Sequence, residues 1–245
     1  MRDVWGMMTR TLLLAAAALS LAACSPEPAN ETSGPAADPP PVTTPATEPS
    51  APAATPAPDA GEQGGTDLWK TVANAGDQDR VARLADAWKD ALADANKGHL
   101  HGAEIDALGL LGVPDAGLTG NLQPGPGKYR CRTIKIGSQG ESDLTYVAYP
   151  WFTCTVALTP GGDLILTKTG GSQRTRGLLY PDTDKRLVYV GAQAWGADET
   201  TYPAYGQNAE RDQVGVFERV GTDRWRLVLP WPKQESKLEI LELRK

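Results

Sequence analysis

Few side chains in this sequence are of the kinds that make and break bonds, and their spacing narrows the choice further. The two histidines stand in Gly98-His99-Leu100-His101-Gly102, with Glu104 and Asp106 close behind. On an extended segment both imidazoles point the same way, which is compatible with a metal site. The bracketing glycines, and the lack of another soft ligand if Cys131 and Cys154 are bridged, favour a solvated loop between helices. No metal and no cofactor is therefore expected. The sequence has no Gly-x-Ser-x-Gly elbow, no His-Glu-x-x-His and no phosphate-binding glycine loop. Ser172 lies in Gly-Gly-Ser-Gln-Arg without a nearby base. No residue is assigned a catalytic role.

Basic and aromatic residues suggest binding instead. If Gly170-Gly171 is a two-residue turn, Lys168 faces Gln173 and Thr167 faces Arg174. Arg130 and Arg132 share one face of another strand. Converging at a barrel mouth, such groups suit a carboxylate or phosphate, for which arginine is the favoured residue; a solvated sheet face paired with acids is the plainer alternative. The segment 66–245 has seven Tyr and six Trp but two Phe, so most of its rings carry a polar end. A connection between Gly196 and Arg211 holds Tyr202 and Tyr205 and is long for an otherwise tight series of hairpins. The expected ligand site joins Lys168, Gln173 and Arg174 as polar contacts with Tyr202 and Tyr205 as stacking surfaces for a small anionic or glycan ligand.

These residues require a scaffold, and two patterns supply it. From Asp67 to about Leu111 the spacing is helical. A short stretch at Asp67-Leu68-Trp69 breaks near Asn74-Ala75-Gly76, and Asp77 then caps a helix running to about Ala95. Its apolar face is Val81, Leu84, Trp88, Ala91 and Ala95, with Asp86, Lys89, Asp90 and Asp94 opposite. A third helix spans Ala103 to Leu111. From Lys128 the period becomes two. Strands are expected at 128–137, 145–158, 163–169, 172–180, 186–193, 212–220, 224–229 and 237–243, with Pro150 marking an edge or bulge in the second. The fold class is α+β: short N-terminal helices (67–111) followed by an antiparallel eight-stranded meander (128–243), closed as a small barrel or folded as a sandwich. The midpoint between Cys131 and Cys154 falls at 142.5, inside the polar Ser138–Asp143 connection. A hairpin turning there sets the cysteines directly opposite and within disulfide range. A structural bridge is favoured over two inert buried thiols.

The N-terminal quarter is organised differently. Arg2 and Arg10 precede an apolar run from Leu12 to Ala23, too short to span a bilayer but suited to a signal peptide (residues 1–23). Either Met1 or Met8 is compatible with the start. The run ends in Leu21-Ala22-Ala23-Cys24-Ser25, which closely resembles the lipobox of bacterial lipoproteins. That resemblance implies cleavage before Cys24 and acylation of its thiol and amine (palmitate-type chains), anchoring the protein in a membrane. Ser25, where aspartate tends to retain lipoproteins in the inner membrane, implies the outer membrane, facing the periplasm. Residues 24–65 then form a lipidated cysteine and a disordered tether: 11 of the 20 prolines, six acids and no base fall within 25–65. Residues 66–245 form the globular domain. The whole-chain charge of −6 is largely a tether property. The near-neutral domain disfavours nucleic acid as a partner.

Taken together, Tyr129-Arg130-Cys131-Arg132, Tyr149-Pro150-Trp151-Phe152-Thr153-Cys154, Gly171-Ser172-Gln173-Arg174, Arg224-Trp225-Arg226-Leu227-Val228-Leu229-Pro230 and Glu235-Ser236-Lys237-Leu238 resemble an uncharacterised domain family of bacterial envelope proteins, a domain of unknown function. The resemblance covers about residues 66–245 and implies no activity or catalytic residue. The expected function is a lipid-anchored, periplasm-facing binding or interaction module for a small ligand or an envelope protein. The alternatives are a cell-envelope enzyme acting on glycan or another envelope substrate, an inhibitor of a lysozyme-like enzyme, and a structural spacer.

Overall fold

The computed structural model describes residues 68–140 and 144–245. Cys24, the leader and the tether lie outside the described residues, as does the tip of the first hairpin.

Nine strands form one antiparallel sheet: β1 (Gly127–Ser138), β2 (Tyr146–Ala148), β3 (Phe152–Leu158), β4 (Leu164–Lys168), β5 (Arg174–Pro181), β6 (Arg186–Ala194), β7 (Asp212–Gly221), β8 (Arg224–Pro230) and β9 (Ser236–Arg244). β9 returns to β1, from Arg130↔Arg244 to Ser138↔Ser236, so the sheet closes on itself. Because β2 and β3 pair with the two halves of β1 along the same edge, they fill one position and the barrel has eight. Closure removes both unpaired edges, which excludes the sandwich. The expected second strand is split at Pro150, which has no N–H to donate to a ladder. The backbone leaves the sheet over Tyr149-Pro150-Trp151, and pairing resumes one residue out of step.

Two register expectations are corrected. Cys131 lies opposite Phe152, and Cys154 opposite Tyr129, so the cysteines are diagonal rather than directly opposed. Both still point inward and form a disulfide with Cα atoms 5.8 Å apart. In the β4–β5 hairpin Thr167 faces Arg176, not Arg174, so Gly170-Gly171 is part of a longer connection. Phe152 packs on it: a Cβ on Gly170 would lie 3.1 Å from the Phe152 ring.

Period two sorts the wall into an inside and an outside. Inward residues at one end are apolar, including Tyr129, the disulfide, Leu166, Leu179, Phe217, Leu227, Leu241 and Leu243. Toward the other end they become polar: Thr133, Lys135, Lys168, Thr175, Gln193, Gln213 and Glu239, each at most 7 % exposed. Tyr189 divides the two zones. Its ring fits because the neighbouring inner positions are Gly177, Gly191 and Gly215; a Cβ on Gly177 would lie 2.6 Å from Tyr189 Cε2.

The helices pack outside. Trp69 of α1 (Trp69–Val72) and Val81 of α2 (Ala75–Ala82) cover Val188, Val190, Val214 and Val216. Trp88, Ala91 and Ala95 of α3 (Leu84–Ala95) cover Ile134, Ile136, Val228, Leu238 and Ile240. The single helix expected over 77–95 is thus two, broken at Arg83, since one straight rod cannot follow a curved wall. The cap is Asn74, whose Oδ1 accepts from Asp77 N at 2.9 Å, rather than Asp77. Asp94, expected on the solvated side, is 6 % exposed. It accepts from Ser138 N at 2.8 Å and pairs with Lys237 at 3.0 Å. The third helix is shorter than expected: α4 (Gly102–Asp106), followed by a 3-10 turn at Gly109–Gly112. Buried Arg226 pins that turn to β8. Its Nη1 donates to the carbonyls of Leu110, Leu111 and Val113, and its Nε to Glu218.

Candidate functional site

The polar end of the barrel gathers charge from strands far apart in sequence. Lys135 comes from β1, Lys168 from the end of β4, and Glu239 from β9, directly opposite Lys135 in the register. The connections β4–β5 and β8–β9 bring Gln173 and Glu235 to the rim. Lys135 Nζ donates to Gln173 Oε1 at 2.7 Å and pairs with Glu235. Gln173 Nε2 donates to Glu235 at 3.2 Å, and Lys168 Nζ donates to the Gln173 carbonyl at 2.6 Å. Below, Thr175 links the hydroxyl of Tyr189 to the amide oxygen of Gln213.

Glu239 is the least satisfied member. Its nearest cation is Lys135, at 4.0 Å, and among the described residues no hydrogen-bond donor reaches its carboxyl. Burial pushes its pKa above the usual carboxylate value, and the two lysines only partly counter this. Burial likewise lowers Lys168, against the pull of Glu239. Glu235, at the rim, is held low by its bond from Lys135. The cavity beside Glu239 has a volume of about 10 Å³, roughly one water. Above it a hollow of about 170 Å³ opens between Phe152, Lys168, Gly171, Gln173, Tyr149 and Glu235. The hollow can hold an anionic or hydroxyl-rich group against the Lys168 ammonium and the Gln173 amide, while Lys135 and Glu239 line the small cavity beside it.

The five residues expected to share a ligand site separate. Lys168 and Gln173 meet at the mouth. Arg174 is on the outer face, since its neighbour Thr175 points inward. It donates to the carbonyls of Gly196 and Glu199, fixing the long connection. Tyr202 lies outside too, its ring under Arg174 and Arg176 and its hydroxyl donating to the Lys168 carbonyl at 2.7 Å. Tyr205 docks on α2 through Asp77 and Asn74. The connection begins and ends at the polar end, yet it runs along the outer wall. Arg130 and Arg132 also face outward. His101 packs on Tyr146 with centroids 5.6 Å apart, 3.5 Å from Glu104, and no cluster with metal-binding geometry occurs among the described residues.

Lys135, Glu235 and Glu239 were not singled out from the sequence. For Glu239 the signal is the strand Leu238-Glu239-Ile240-Leu241-Glu242-Leu243. It is apolar on both faces, so the acids within it are buried whichever way they point. Lys135 between Ile134 and Ile136 carries the same mark.

The molecule is therefore a closed antiparallel barrel, dry at one end, with a buried lysine–glutamate set at the other and helices on its outer wall. The chain belongs to the domain of unknown function family DUF4893, whose model matches residues 69–243. No curated protein and no solved structure matches it.

Proposed function

We propose that the protein is a lipid-anchored binding module of the bacterial envelope, tethered through Cys24 at the outer membrane and facing the periplasm. Its barrel takes a small anionic or glycan ligand at the polar end. The observation that supports binding is buried Lys168 lining an open hollow with Gln173, while Lys135 stands beside Glu239, which lacks a close partner. Burying such groups costs stability unless something is gained. Lys168 contributes charge and Gln173 orientation, while Tyr149 and Phe152 supply flat walls for a sugar face.

Isothermal titration of the full chain with N-acetylmuramyl glycan fragments, which carry both a carboxylate and sugar rings, tests the reading. Lys168→Ala should abolish binding, whereas Arg174→Ala, which only loosens the outer connection, should retain it. Equal binding by parent and Lys168→Ala removes the polar end from consideration. The anchor has its own test: Cys24→Ala should leave the membrane fraction. The raised Glu239 and lowered Lys168 also favour an envelope enzyme as a second reading, since such shifts suit proton transfer. Turnover of the same fragments that disappears in Glu239→Gln while binding persists would select it.

A further inference from the structure

A second charged cluster lies on the outside of the wall, toward the N-terminal end of β1, where neither α2 nor α3 covers the sheet. Arg130 and Arg132 point outward from β1, Arg244 from β9 and Arg224 from β8. The register sets Arg130 beside Arg244, Arg132 beside Glu242, and Arg224 beside Arg244. Glu242, fully buried, is the hub. It accepts from Arg132 Nε at 2.6 Å, Arg224 Nε at 2.8 Å and Arg244 Nε at 2.6 Å. Trp151, in the break between β2 and β3, adds a wall: the guanidiniums of Arg130, Arg132 and Arg244 lie 4.7, 4.9 and 5.4 Å from its ring centre.

Three arginines bound through Nε to one carboxylate are fixed in orientation while their Nη groups remain unused. Among the described residues those Nη groups donate no hydrogen bond, and Arg130 makes no hydrogen bond or ion pair at all. The arginines are 25–45 % exposed where they pair with Glu242, which is itself inaccessible. One carboxylate cannot neutralise four guanidiniums, so the cluster keeps a surplus of three positive charges. Lys128, on the same face of β1, adds to it, and Asp223 in the β7–β8 turn offsets one unit. Guanidiniums locked by a buried acid need little further ordering to bind an anion, and their forked donors match phosphate oxygens. A flat, singly charged carboxylate would leave most of the donors idle. A tetrahedral phosphate satisfies several at once and carries the charge to match.

We propose that the Arg130–Arg132–Arg224–Arg244 cluster, held by Glu242 and walled by Trp151, is a binding site for a phosphate group. It is separate from the barrel mouth, because these arginines face outward and Lys135 faces inward. Two sources present this chemistry: a soluble phosphomonoester and a phospholipid headgroup.

The test uses the full chain carrying Cys24→Ser, so that no acyl chain contributes to vesicle binding. In one arm, glycerol 3-phosphate is titrated calorimetrically at constant ionic strength. In the other, the protein is sedimented with phosphatidylglycerol or phosphatidylcholine vesicles. Arg130→Gln is the informative variant because Arg130 supports no other side chain through hydrogen bonds. It should weaken binding about fivefold. Arg186→Gln, in an ion pair with Asp182 elsewhere, should not. Trp151→Leu should weaken binding without reversing the effect of salt. Saturable binding of glycerol 3-phosphate that falls in Arg130→Gln supports the site and identifies a soluble ligand. Binding only to phosphatidylglycerol vesicles, with the same loss in Arg130→Gln, supports it and identifies a headgroup. No response in either arm, or equal responses from parent, Arg130→Gln and Trp151→Leu, overturns the proposal.

Discussion

Glu239 and Glu242 stand three residues apart on one strand, and both are withdrawn from solvent, at 6 % and 0 % exposure. Their chemistry diverges because the strand turns one inward and the other outward. Glu239 meets two ammonium groups without a close hydrogen bond, and burial raises its pKa. At Glu242 burial also acts to raise the pKa, but bonds from Arg244 and Arg132, with the nearby Arg224 charge, outweigh it and bring the pKa down. Depth alone therefore does not fix the state of a carboxyl. The number of donors at hydrogen-bond distance does. One acid is left without a close donor, and the other is committed as a structural hub.

The largest effect should come from the largest fully buried charged side chain, Arg226, which extends the outward half of this comparison. Arg226→Ala strands Glu218 and three backbone carbonyls, and urea denaturation should show a loss of about 3–5 kcal/mol. A loss under 1 kcal/mol would mean that the 3-10 turn holds without it. The apolar end should be next most sensitive. Cys131→Ala with Cys154→Ala should cost about 2–4 kcal/mol while leaving ligand binding at the opposite end intact. Loss of binding in that variant would show that the two ends are not independent.

Glu242→Gln should cost about 1–2 kcal/mol at neutral pH, discounted because its arginines are partly exposed. Its folded pKa lies below the usual 4.5, so its contribution is complete above that value and is lost as pH falls below it. The gap between parent and Glu242→Gln should therefore close in acid. Glu239→Gln should change stability least, by under about 1 kcal/mol, but with the opposite slope. A raised folded pKa adds stability as pH falls through it, complete once pH is below 4.5. The parent should gain on Glu239→Gln as pH falls toward 4.5. Parallel slopes for the two variants would remove the distinction between the two acids.

Much of the scaffold was legible because a wall with two environments imposes period two, and seven of the eight expected strands match observed ones within a residue or two at each end. Pro150 marked the break in the eighth. Closure was legible only as one of two alternatives, barrel or sandwich, because the pairing of β1 with β9 spans the whole domain and no local pattern encodes it. The split at Arg83 was hidden for the same reason, since it answers the curvature of a surface assembled elsewhere. For the site, period two placed Lys168 and Gln173 on one face and Arg174 on the other. The error was to group them by chemistry rather than by parity. Tyr202 and Tyr205 read as ligand surfaces because their partners, Arg176 and Asp77, are distant in sequence. Asp94 read as solvated because its partner Ser138 is likewise remote.

Tyr189, seated over the dry half of the barrel, gives the molecule a closed bottom. The barrel is thus filled at one end and polar at the other. Among the described residues the inner positions below Tyr189 are filled by buried apolar side chains and the disulfide. Whatever enters past Gln173 and Glu235 must leave between them, and the rim rather than the floor then governs how long an occupant stays.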